Sequence, residues 1–238
     1  MIDTHAHLNF SQFDEDRKEI IDQCLSKGIS LINVGTDYQN SKQAVALTGK
    51  GVWASIGLHP LDAGQGFDYE KYKSLSKEKI VAIGETGLDY WHKSKKEKQR
   101  EVFLKQVALA EELNLPLIIH CRVAFDDVYS ILKETKVKGV LHCFTGSLAD
   151  LKRFLALGYF IGFNGIIFKM DLKKVIASTP LERMLLETDC PFLSPPGFAP
   201  RNNPLSLEII GAELARIKGI SLEQVLVQTE NNALDLFE

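Results

Sequence analysis

The chain has 238 residues, 45% hydrophobic and 25% charged, which excludes a disordered or fibrous protein and allows a sizeable buried core. Its 28 Lys+Arg against 31 Asp+Glu leave a net charge of −3, which argues against non-specific nucleic-acid binding driven by overall charge. No apolar run is long enough for a membrane span, Met1-Ile2-Asp3-Thr4-His5 lacks the basic start and apolar stretch of a signal peptide, and four cysteines do not make a disulfide framework, so a reduced, cytoplasmic chain is expected.

Short apolar runs alternate with amphipathic stretches from end to end. A first strand begins at Met1 and is followed by a helical pattern over 12–27. A run at 30–35 leads to a helix over 39–49, and further runs stand at 52–58 and 80–85. The clearest helix spans 94–113, where Val102, Phe103, Gln106, Val107, Leu109, Ala110 and Leu113 form a face opposite the charges. Run 116–120 precedes helix 124–135, run 139–142 precedes helix 148–156, and run 159–163 precedes helix 171–178. The last run, 183–188, is followed by helices over 205–217 and 221–236. Near-continuous apolar runs of this length suit strands of a parallel sheet buried on both faces. Eight strands alternating with about eight helices predict an α/β protein, a TIM-type (β/α)8 barrel forming a single domain over 1–238. A doubly wound open sheet would need a phosphate-binding glycine turn after the first strand, and His5-Ala6-His7-Leu8-Asn9 is not one.

Polar residues at the strand ends carry the chemistry. The first run ends in His5-Ala6-His7, the fourth in Glu85, the fifth in His120 and the sixth in His142, and Asp189 follows the eighth. In a barrel the carboxyl ends of the strands meet on one face, where active sites are built. His5 and His7, two apart on a strand, point to the same side and can address one ion. Four imidazoles, a glutamate and an aspartate form an N/O ligand set suited to zinc, manganese, iron or, less well, magnesium. Six such side chains exceed what one hydrolytic ion with an open position uses. Two ions roughly 3.5–4 Å apart, bridged by a carboxylate, would use them all.

Several motifs carry a resemblance. Thr4-His5-Ala6-His7-Leu8, Gly57-Leu58-His59-Pro60, Gly84-Glu85-Thr86-Gly87-Leu88-Asp89-Tyr90, His120-Cys121-Arg122, His142-Cys143-Phe144-Thr145-Gly146 and Glu187-Thr188-Asp189-Cys190-Pro191 stand in this order. In that series the chain resembles the TatD-type metal-dependent hydrolases (TatD DNase family) over essentially its whole length. The resemblance implies phosphodiester hydrolysis on DNA at a site holding two divalent ions, with zinc, manganese, magnesium, iron and nickel not distinguished. By motif position, His5, His7, Glu85 and Asp189 would hold one ion, and Glu85, His120 and His142 the other, with Glu85 bridging. Asp189 is also expected to orient the attacking water and take its proton. His59 and Arg122 are expected to bind phosphate, and Arg201 to join them from the final loop. That loop, Pro195 to Pro204, lacks the Gly-Lys pair usual in the family, and Asn203 and Asn164 also depart from its pattern.

Other residues are read more plainly. Cys121, Cys143 and Cys190 each follow a proposed ligand and are expected to be small buried packing residues. His92 is expected to be exposed. Lys93-Ser94-Lys95-Lys96-Glu97-Lys98-Gln99-Arg100 is a solvated face or a guide for a nucleic-acid backbone. The expected activity is a metal-dependent deoxyribonuclease that trims single-stranded or frayed ends in the 3′ to 5′ direction, as a monomer with no obligate protein partner. The alternatives are a barrel hydrolase of amide or ester bonds, including an ester on RNA, and a non-catalytic metal-binding scaffold.

Overall fold

The computed structural model describes residues 1–76, 80–92 and 95–238. Eight strands, β1 (Ile2–Ala6), β2 (Ser30–Val34), β3 (Val52–Ile56), β4 (Ile80–Asp89), β5 (Leu117–Arg122), β6 (Gly139–Leu141), β7 (Phe160–Phe163) and β8 (Met184–Leu186), pair in sequential order, and each pair is parallel. The ring closes just beyond β8, where Asp189 N–H donates to the His5 carbonyl (2.8 Å) and His7 N–H donates to the Cys190 carbonyl (3.0 Å). Around it run α1 (Arg17–Ser26), α2 (Tyr38–Ala46), α3 (Tyr69–Lys73), α4 (Lys96–Leu113), α5 (Phe125–Leu132), α6 (Leu148–Ala156), α7 (Lys173–Ser178), α8 (Leu207–Lys218) and α9 (Leu222–Phe237). The architecture is the expected (β/α)8 barrel.

Two apolar clusters hold it together. The larger lies between strands and helices. The smaller joins Ile2, Ile32, Ala82, Ile118, Val140, Phe160 and Leu185, with the partly buried Trp53 against it, so it draws on every strand. Side chains from all eight strands can meet only in the barrel's interior. Among the described residues the one helix that contributes is α9, through Ala233 and Leu236. The amino end of the barrel is therefore plugged and apolar, and the polar strand ends lie at the other mouth.

The elements differ most from the sequence reading in three places. The 12–27 pattern resolves into a 3-10 turn at Ser11–Phe13 and a helix that starts only at Arg17. Helix α3, five residues long and capped by the Asp68 side chain on Lys71 N–H, is too short to show a period. Strand β4 does not stop at Glu85 but continues to Asp89, pairing Thr86–Asp89 with Ile119–Arg122 of β5. Gly87 makes that possible: at φ 130° its ideal Cβ would stand 2.0 Å from the His120 carbonyl oxygen, so only glycine fits beside β5 here.

Candidate metal centre

The carboxyl ends of the strands surround a cavity of about 940 Å³, with His7, Glu85, His120, His142 and Asp189 in its wall and His5 buried directly beneath. Backbone bonds set the ligand candidates in place. Besides the closing pair at Asp189 and His7, Glu85 N–H donates to Gly35 carbonyl (2.8 Å) and His142 N–H to Ile119 carbonyl (3.0 Å). Asp189 has a left-handed backbone, φ 56°, unusual for a non-glycine residue and held by its bond to His5.

Two groups of donor atoms meet on opposite oxygens of one carboxylate. Glu85 Oε2 lies 3.5 Å from His5 Nε2 and 3.8 Å from His7 Nε2, while Asp189 Oδ1 lies 3.4 Å from His7 Nε2 and 3.9 Å from His5 Nε2. Glu85 Oε1 lies 2.8 Å from His142 Nε2, 2.9 Å from His120 Nδ1 and 3.4 Å from His59 Nε2. Donors sharing one tetrahedral zinc at 2.0–2.1 Å stand about 3.3 Å apart, so both groups have the spacing of an ion's ligand shell.

The hydrogen bonds behind the rings show which nitrogens are free to ligate. His7 Nδ1 donates to Val34 carbonyl (2.9 Å), so its Nε2 presents a lone pair, 3.1 Å from His5 Nε2. His120 Nε2 lies 3.2 Å from Asp89 Oδ2 and donates to it, so its Nδ1 presents a lone pair to Glu85 and to His142 Nε2 at 3.4 Å. Acceptors thus face acceptors, an arrangement that needs positive charge between them. The residues present fit a pair of divalent cations. His59 differs: its Nδ1 accepts Leu61 N–H (3.2 Å), so neutral His59 carries its proton on Nε2 and offers a donor rather than a lone pair.

The electrostatics agree. Burial would raise Glu85, but the imidazoles around it, His59, His142 and His120, hold it well below the usual carboxylate range. Asp189 is likewise held down against burial by His7, His5 and His142. Burial opposes protonation of His7, His120 and His142, yet the neighbouring carboxylates push all three up, while His5 is pulled down by burial and by His142. The carboxylates therefore stay ionised and collect positive charge at the floor of the cavity.

Among the substrate-binding candidates, His59 and Arg122 line the cavity. Arg122 makes no ion pair with Asp126 or Asp127, which are taken by Arg153 (2.8 Å) and Arg100 (3.7 Å); its guanidinium lies over the Trp91 ring. Arg201 does not join them. It pairs with Asp16 and Gln12 carbonyl and covers the Phe13 ring, away from the cavity lining. Of the cysteines, Cys190 and Cys121 are buried as expected. Cys143 is not packed away: beyond the end of β6 its backbone turns left-handed, φ 46°, strand alternation no longer applies, and its side chain lines the cavity. Burial raises its thiol well above the ordinary range, and it donates to Asn164 Oδ1 (3.5 Å). His92 is exposed as expected, yet its Nδ1 stands 3.3 Å from both oxygens of Asp89. Lys93 and Ser94 lie outside the described residues.

Two carboxylates were missed. Asp89 ends β4 and orients His120. Glu187 is fully buried and accepts Cys143 N–H (2.6 Å) and Asn164 Nδ2 (3.1 Å), fixing the turn that follows His142. Both stand inside the strings Gly-Leu-Asp-Tyr and Glu-Thr-Asp, and that adjacency was the available signal.

Fold and donor set together define a barrel with donor clusters suited to two divalent ions, and the chain's relatives place it among metal-dependent hydrolases acting on ester-type bonds. More narrowly, the chain belongs to the TatD related DNase family, whose model matches residues 2–238. It is 40% identical over 251 residues to an uncharacterized metal-dependent hydrolase, YabD, of Bacillus subtilis strain 168, covering 100% of this chain and 98% of that one. It is 36% identical over 256 residues to the 3′-5′ ssDNA/RNA exonuclease TatD of Klebsiella pneumoniae strain 342, covering 100% and 97%. The crystal structure of YJJV, a TatD homologue from Escherichia coli K12, superposes with a TM-score of 0.89 at 30% identity, covering 100% of this chain and 97% of that one. Among the described residues no helix is long and apolar enough to cross a membrane.

Proposed function

We propose that this chain trims nucleotides from the 3′ ends of single-stranded or frayed DNA. The observation that carries the reading is Glu85, whose two oxygens face two separate donor groups at the floor of one cavity. His5, His7, Glu85 and Asp189 would hold one divalent ion, and Glu85, His120 and His142 the other. Ions bound there supply a water acidified towards neutral pH and charge that offsets the phosphate. Asp189, whose carboxylate is 15% exposed to the cavity, accepts the water's proton and returns it to the leaving oxygen. His59 donates from Nε2 to a phosphate oxygen, and Arg122 offers its planar fork to the strand's backbone. Asp89 holds His120 with Nδ1 inward, as the Val34 carbonyl does for His7 with Nε2 inward. The end-trimming direction is supported by the name of the Klebsiella relative. The four cysteines, none of them disulfide-bonded, suit a reducing compartment.

The test is metal-stripped protein reloaded separately with magnesium, manganese or zinc and given end-labelled single- and double-stranded DNA, RNA and a simple ester. Hydrolysis should vanish with chelator and return with a divalent ion, fastest on single-stranded DNA and releasing nucleotides from the 3′ end. Full hydrolysis in excess chelator, with no metal by elemental analysis, would remove the basis of the assignment.

A further inference from the structure

Among the described residues, nine large apolar side chains are exposed, and five of them, Leu61, Trp91, Val123, Met170 and Phe192, line this one cavity. Such side chains are ordinary when scattered singly, but their gathering around a cavity marks a binding rim. The rim has a distinct side. Trp91 stands two residues beyond β4, and Arg122 ends the adjacent β5. The Arg122 Cζ lies 5.0 Å from the Trp91 ring centroid, and Trp91 as a residue remains 64% exposed, so it stays open to solvent beside the guanidinium. Its position is tied to the metal centre: Trp91 N–H donates to Asp89 Oδ1 (3.0 Å), and the other oxygen of Asp89 accepts from His120 (3.2 Å).

We propose that Trp91 and Arg122 form a subsite that stacks an unpaired nucleobase next to the phosphate held at the donor cluster. The proposal rests on the nuclease reading above. An open aromatic face beside a guanidinium selects a ligand that is flat and aromatic at one end and anionic at the other, as a nucleotide is. A guanidinium lying over a ring still directs its N–H groups outward, towards a backbone phosphate. Stacking accepts any base, because each has a π-face, but requires that face to be free, which a base inside a duplex does not offer. The preference for single strands would then reside in Trp91 rather than in the width of the barrel mouth. On the β1 and β8 side, half-way round the ring, His7 stacks on Phe10 (4.5 Å, 10°) with Phe192 6.4 Å from Phe10. That wall is less open at Phe10, which is half-buried.

The chain has two tryptophans, and Trp53 lies in β3 against the apolar plug. Trp53→Phe should keep full activity and leave Trp91 as the only indole reporter. The as-isolated single-tryptophan protein is titrated with a cleavage-resistant phosphorothioate oligothymidine and with an abasic strand of equal length and charge. The thymidine strand should quench Trp91 fluorescence and bind more tightly. In the two-tryptophan background, Trp91→Ala should weaken oligothymidine binding about 5- to 150-fold and raise KM, with Trp91→Phe recovering part of the loss. Binding of the abasic strand should be nearly blind to Trp91→Ala. Equal affinity for the two strands, with hydrolysis of DNA intact, would overturn the subsite alone. Base-dependent quenching in a protein that cleaves no phosphodiester would support the subsite while overturning the nuclease reading.

Discussion

A carboxylate whose two oxygens face different donor groups cannot be replaced by an amide without loss. Glu85→Gln keeps the shape but gives one group a carbonyl oxygen and turns an N–H2 towards the other. Metal content by elemental analysis should fall from two ions to one or none, and turnover should drop by at least about 10²-fold, while the fold persists by circular dichroism. Two retained ions with near-normal turnover would rule out the bridge. Asp89 acts one step further back. Asp89→Asn preserves an acceptor for His120 but removes the charge that raises the ring's basicity, so metal affinity by calorimetric titration should fall roughly 10- to 100-fold. The six ligand candidates were readable in the sequence because each is a polar residue closing an apolar run. Asp89 and Glu187 carried only the weaker signal of standing inside motif strings, because a carboxylate that orients a ligand from behind closes no apolar run. Arg201 shows the converse, since its loop position is family-like, but Asp16 is near enough to hold its guanidinium.

At the scale of elements, apolar runs located every strand, and the errors lie where the run criterion fails physically. Thr86-Gly87 interrupts the fourth run, yet the strand continues because glycine lets β4 lie close against β5. Without that extension Asp89 would not reach His120. The basic stretch entering α4 is a second case where composition alone misleads. Lysines at a helix start oppose its dipole, so they do not serve the helix. Lys98 is paired with Glu101 (2.9 Å) and Arg100 with Asp127 (3.7 Å), whereas Lys96 lies 4.4 Å from the Tyr90 ring centre and Lys95 makes no ion pair among the described residues. Among the described residues of the stretch, Lys95 and Lys96 are the lysines without a carboxylate partner. The double variant Lys95→Ala, Lys96→Ala should therefore flatten the salt dependence of oligonucleotide binding by a slope of about 0.7 per lost contact, measured across a potassium chloride series. Lys98→Ala should leave the slope nearly unchanged, and an unaltered slope in the double variant would return the stretch to a solvated surface.

For the whole molecule, the decisive quantity is that a net charge of −3 offers little long-range attraction to a polyanion. On the proposed reading, affinity comes from short-range contacts: the ions, His59, Arg122 and the open face of Trp91 in the cavity, and Lys95 and Lys96 at the start of α4. The amino end of the barrel is filled by its interior cluster and α9, so a strand that enters the mouth cannot thread through and must present an end or bend back out. On the proposed reading, the need for an unpaired base at Trp91 disfavours an intact duplex. Covalently closed circular duplex should therefore survive prolonged incubation with enzyme and metal. The same molecule should be degraded after linearisation by a cut that leaves 3′ single-stranded overhangs, and blunt ends should be degraded more slowly, in proportion to how readily they fray. Raising the temperature towards the melting range of the termini should speed blunt-end trimming more than overhang trimming, because only the former must first break base pairs. Gel analysis of closed, overhanging and blunt forms under one set of conditions reads all three rates. Rapid nicking of the closed circle would mean that the metal centre reaches internal phosphates of a duplex, making the enzyme an endonuclease whose substrate enters across the rim rather than into it.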